Sequence, residues 1–105
     1  MGARADGEPS GVIAVRVAQA RAVQIARQGW PNSHLGPRDI DRYCAPDEAG
    51  ERLLHATARH LHWSARAYHR VLKVARTVAD LAGSKHVVAT HVAEAIGYRR
   101  ALQGD

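Results

Sequence analysis

Arg66, Arg70 and Lys73 follow one another at spacings of four and three residues, which on a helix stacks them along one face. Cations in that register can hold the oxygens of a phosphate, either of a nucleotide or of a nucleic-acid backbone, and the same pattern also describes an ordinary solvated face. Arg76 lies about 80° off this stripe and reads as a salt-bridge partner, within the chain or toward another domain. Seven histidines raise the question of a metal, above all His55, His60 and His62. Zinc requires three or four ligands converging in a tetrahedron, whereas these spacings are irregular and His60 and His62 would diverge by about 200° on a helix. No metal site is expected. Cys44 has no basic partner at a telling spacing and reads as a small buried residue rather than a nucleophile.

Phosphoryl-transfer machinery is missing from the sequence itself. It holds no G-x-x-x-x-G-K followed by serine or threonine, and no apolar strand ending in paired acids to position magnesium. No catalytic residues are expected in isolation, and the chain alone should neither hold ATP tightly nor hydrolyse it. With one cysteine there is no internal disulfide, and no run approaches the roughly 18 apolar residues of a membrane span, so a cytoplasmic location without membrane contact is expected. The formal charge of +5 favours polyanions without choosing among nucleic acid, nucleotide phosphate and an acidic protein surface.

The elements that must position these cations are helical. With 105 residues the chain has room for one core. Residues 1–10 read as a short disordered leader and residues 11–103 as one helical domain. Val12 to Gln28 is free of proline and stops at Gly29, Trp30 and Pro31. Trp30 to Pro37 has the composition of a loop, and a short helix is expected over Arg38 to Tyr43. Pro46, followed by Asp47 and Glu48, suits the first turn of a helix that turns Leu53, Leu54, Thr57 and Leu61 inward. Ser64 is a natural N-cap, with Trp63 and Tyr68 at the spacing of a hydrophobic staple. Beyond it Tyr68, Val71, Leu72, Ala75, Val78, Ala79 and Ala82 form an apolar face opposite Arg66, Arg70 and Lys73, ended by Gly83. A last helix from Thr90 to Leu102 turns Val92, Ala95 and Ile96 inward beside the stem of Arg99. The fold class is all-α, a compact bundle of four to five helices.

The run Trp63-Ser64-Ala65-Arg66-Ala67-Tyr68-His69-Arg70, continuing through Lys73, Arg76 and Asp80 to Leu81, resembles the signature of the C-terminal domain of magnesium-chelatase-like AAA+ proteins of the ComM type. The similarity extends back through Ala20, Arg21, Gln24, Arg27, Asn32, Leu35, Cys44, Leu53 and Leu54, and forward through the stretch His91 to Ile96 and through Tyr98 and Arg99. Trp63 departs from the usual leucine, and Ala89 stands where a polar N-cap would be expected. The resemblance implies an AAA+ lid behind a nucleotide-binding core, in a ring that is usually a hexamer, with ATP and Mg2+ held by that core. It implies a sensor role for Arg66, phosphate or DNA contacts for Arg70 and Lys73, and helicase or branch-migration work on DNA in natural competence. A different reading is a free-standing DNA-binding module whose two closing helices imitate a helix-turn-helix, although the last helix offers few base-reading residues at its N-terminal end.

Overall fold

A computed structural model describes residues 10–103, with side chains described from Gly11 to Arg99. Among the described residues the order is α1 (Ser10–Gln28), a 3-10 turn (Asn32–His34), α2 (Pro37–Tyr43), α3 (Glu48–His60), α4 (Ala65–Leu81) and α5 (Ala89–Gln103). The protein is all-α, as its patterning requires. The disordered leader expected over residues 1–10 lies outside the described residues except for Ser10, which is already helical. None of the helices described is long and apolar enough to cross a membrane.

α4 is the hub. It packs against α5, α1, α2 and the 3-10 turn, while α3 packs mainly against α5 and touches α4 through His55. The core gathers Leu35, Ile40 and Cys44 from around α2, Leu54 from α3, Val71, Leu72, Ala75 and Ala79 from α4, and Val87, Val92 and Ala95 from the closing segment. With Ala67, Arg76 and Asp80, the buried positions of α4 sweep about 220° of its circumference at about 100° per residue, which is why a single helix can face four neighbours. Ala82, expected on that face, is exposed because the helix has already ended at Leu81. Leu61 is likewise 42% exposed, since it caps α3 rather than belonging to it.

Local chemistry explains the helix ends. The Ser64 hydroxyl accepts from the Ala67 amide at 3.1 Å, and the Asp47 carboxylate accepts from the Gly50 amide at 2.8 Å. Asp47 is therefore the N-cap of α3, and Pro46 is not the first helical residue as its sequence context suggested. Pro46 instead forms an isolated parallel bridge with Val87, and the Asp47 amide donates to the Val87 carbonyl at 2.8 Å. Gly50 sits under this junction: a Cβ there would lie 2.9 Å from Cβ of Pro46 and 3.3 Å from Cγ2 of Val92. α5 begins on Val88, whose carbonyl accepts from the His91 amide at 2.9 Å. Ala89 is thus inside the helix rather than at its cap, and Nδ1 of His91 reaches back to the Val88 amide at 3.0 Å, the reciprocal half of a capping box.

Trp63 and Tyr68 both pack against the core, and the Trp63 ring is covered by the Arg99 guanidinium at 5.2 Å. At the end of α4, the Ser84 amide donates to the Ala79 carbonyl at 2.8 Å and the Gly83 amide to the Asp80 carbonyl at 3.1 Å, with Gly83 at φ 73°. α3 closes in the same way through the Trp63 amide to the Ala58 carbonyl at 3.0 Å, but the left-handed position is held by His62 at φ 55°. A side chain with a Cβ carries a cost there that glycine avoids. His62→Gly should raise stability by about 0.5 to 1 kcal/mol, the left-handed cost less the extra entropy glycine loses on folding. Chemical denaturation is the measurement, and a lower midpoint for the variant would contradict this account of the α3 terminus.

Candidate functional site

The first turns of α4 fix one edge of a cleft. Arg66 is the second residue of the helix, directly behind the Ser64 cap, and is exposed. Arg70 lies one turn further and is also exposed, while Lys73 is half-buried with its Nζ 3.5 Å from the Ser33 carbonyl, a weak contact. Among the described residues, no hydrogen bond or ion pair engages Arg66 or Arg70. The three cations border a cleft of about 560 Å³ between α4 and α2, floored by Leu35 and Ile40 and bordered also by His69. His69 and Asp41 approach to 3.7 Å across the α2 contact. The periodic stripe thus becomes a physical one, with two free guanidinium groups on a stiff helix beside a concavity. Such an edge can hold phosphate oxygens by paired N–H donors.

Arg76 is elsewhere. It is 5% exposed and turned inward, where its guanidinium meets Asp80 at 2.9 Å and donates to the carbonyls of Ser84 at 3.0 Å and Lys85 at 3.2 Å. Of the two roles expected for it, the geometry provides the intramolecular salt bridge. Asp80 also accepts from Arg27 at 3.0 and 3.2 Å and from the Asn32 amide at 3.0 Å, with its side chain fully buried. Asn32 in turn is bonded to Thr77 at 3.0 Å, to Gln28 at 2.7 Å and, through its backbone amide, to Gln24 at 2.9 Å. Burial alone would raise the Asp80 pKa, but the hydrogen bonds from Arg27 and Asn32 and the charges of Arg76 and Arg27 outweigh it and hold the carboxyl below its usual value. Gln24, Arg27, Asn32 and Asp80 all belong to the motif read from the sequence, yet spacing gave them no role. The available signal was an arginine and an aspartate four residues apart near an apolar face.

The remaining candidates stay apart. No group of three or more histidine, cysteine, aspartate and glutamate side chains converges among the described residues. His55 lies tilted against the Tyr68 ring with centroids 5.7 Å apart. Cys44 is fully buried, and burial pushes its thiol pKa up to about 11. The closing helices depart from a helix-turn-helix. Residues 82–88 separate them, against the three or four of that motif, and Val87 within the connector is tied to Pro46 and Asp47.

A family profile described as magnesium chelatase, subunit ChlI C-terminal, matches residues 7–99. The competence protein ComM of Haemophilus influenzae is 40% identical over 93 residues, which make up 89% of this chain and 18% of that protein. The proteins YifB of Salmonella typhimurium and Escherichia coli are 40% and 39% identical over stretches of the same length. The chain therefore spans about a fifth of the length of these curated relatives.

The buried carboxylate generates a measurable signature. A carboxyl whose pKa is lowered by folding contributes stability above the ordinary carboxylate range, and that contribution is lost as pH falls through its folded value. Wild-type stability should therefore decline on acidification below about pH 4, and Asp80→Asn should lack that part of the slope. At neutral pH Asp80→Ala should cost about 3 to 5 kcal/mol, because Arg27 and Arg76 are left near one another without their counter-charge. Denaturant titrations of the three proteins from neutral to acid pH test both statements. Parallel pH profiles for wild type and Asp80→Asn would refute the first.

Proposed function

The chain belongs to the magnesium-chelatase C-terminal family, and from that membership we propose that it is the lid of a ring-forming AAA+ ATPase in which Arg66 brings positive charge to ATP held by a preceding core. One observation carries this reading: the Arg66 guanidinium is exposed, without a partner, and mounted in the first turn of the helix that organises the whole domain. Phosphoryl transfer depends on positive charge placed in advance against the equatorial phosphate oxygens, so a donor on a stiff, capped helix is worth more than one on a loop. ATP with Mg2+ would supply the transferred phosphoryl group and its charge neutralisation, and this chain has no sequence cradle for either.

Arg70 and Lys73 continue the same edge, where either can extend the phosphate or DNA contact. Neighbouring subunits, in a ring that is commonly a hexamer, complete the working assembly. That the Haemophilus relative is a competence protein supports DNA as the substrate of the whole protein, remodelled by helicase or branch-migration activity in the cytoplasm.

Arg66→Ala in the full-length protein tests the reading. ATP turnover should fall about tenfold to a thousandfold, the loss of roughly 1.4 to 4 kcal/mol of transition-state stabilisation by one positioned charge. Assembly should persist, and stability should change by less than about 1 kcal/mol because the side chain is exposed. Turnover and thermal unfolding are to be measured on one preparation. Normal turnover in intact rings would reduce Arg66 to part of a solvated face.

A further inference from the structure

Arg70 and Lys73 border two concavities. Besides the cleft beside Arg66, they form one end of a groove of about 700 Å³ between α4 and α5. Its apolar lining comes from Val74, Val78 and Leu81 on α4 and from Tyr98 on α5. Val74, Leu81 and Tyr98 are 38%, 41% and 54% exposed, so large apolar side chains meet water at one place with an unpaired guanidinium at its edge. Glu94 borders the groove from α5.

We infer that this groove is a docking site for an amphipathic helix of the nucleotide-binding part of the same polypeptide, apolar toward Val74, Leu81 and Tyr98 and carrying a carboxylate toward Arg70. Three observations lead there. The apolar part of the lining is aliphatic apart from Tyr98, so it offers no row of aromatic platforms on which the bases of a nucleic-acid strand could stack. A row of apolar positions along two turns of α4 matches the anchors of a helix laid in a groove, and the cation at its end selects an acidic residue. Finally, the wall shared by Arg70 and Lys73 means that a body presenting phosphates to Arg66 comes down over this groove as well. This last step rests on the reading of Arg66 given above. The matched relatives carry more than four-fifths of their length beyond the region aligned with this chain, ample to supply such a helix.

Thiol accessibility tests the inference, and the buried Cys44 thiol supplies an unreactive background. Val74→Cys and Tyr98→Cys should react with a maleimide as open thiols in the 105-residue chain and at least tenfold more slowly in the full-length protein. Arg52→Cys, at an exposed position on α3, should react equally in both. Adding Arg70→Glu to the full-length Val74→Cys protein should recover most of the lost rate by setting like charges against each other. Circular dichroism confirms that each variant is folded. Equal rates in the two chains would overturn the inference, as would protection that disappears when rings are diluted to single subunits, since the occupant would then belong to a neighbour. Protection of the isolated chain by a DNA oligonucleotide would overturn it in favour of nucleic acid. Arg66→Ala separates this idea from the one it rests on: turnover reports on the sensor role, and maleimide protection that survives that substitution reports on the groove.

Discussion

A carboxylate with no water around it must be matched by charge and donors, and at Asp80 that matching brings distant parts of the chain into register. Arg27 comes from the end of α1, Asn32 from the 3-10 turn and Arg76 from the preceding turn of α4 itself. Arg76 then spends its other donors on the carbonyls of Ser84 and Lys85, which fixes how the chain leaves α4. Such a set need not make the fold much more stable than an apolar cluster of equal volume would, because desolvating the charges offsets most of their attraction. Its effect is on specificity. A slip of α1 by one turn would cost the Arg27 contacts and leave Asp80 with Arg76 as its counter-charge.

The same helix therefore works on two sides with opposite rules. Inward, Arg76 shares the Asp80 carboxylate with Arg27 and bonds the carbonyls of Ser84 and Lys85. Outward, Arg66 and Arg70 are left without partners and Lys73 has only a long contact to a carbonyl. The separation follows from helical periodicity: Arg76 is three residues beyond Lys73 and ten beyond Arg66, enough rotation to carry it from the water to the interior. A rigid inner side is what lets the outer side hold its charges at a fixed distance from anything that docks there.

Legibility from the sequence followed the range of the interactions. Ser64 and Gly83 could be read because a cap bonds to amides or carbonyls only a few residues away. The place of Pro46 is decided by a tertiary partner, the Val87 carbonyl that holds the Asp47 amide. Ala89, by contrast, lies one residue inside a local cap that His91 makes with the Val88 amide, and histidine is not among the usual partners in a capping box. The exposure of Arg66 and Arg70 follows from register, while the part assigned to Arg66 came from family resemblance and not from spacing. The Asp80 cluster spans 53 residues in sequence and has no local signature beyond one i,i+4 pair. The groove between α4 and α5 was equally hidden, since it exists only once both helices and Ser33 are placed together.

α1 has one further property with a mechanical meaning. Every described residue from Gly11 to Gln19 is exposed, and the first buried side chain is Ala20. The outer turns of α1 thus bury no side chain fully, and Val17 borders a cleft that α1 shares with Thr77 and Leu81 of α4. Beyond that point Gln24 and Arg27 pin it to the buried cluster. It has the form of a lever with its fulcrum at Asp80, and a load on its outer end bears on the helix that also carries Arg66.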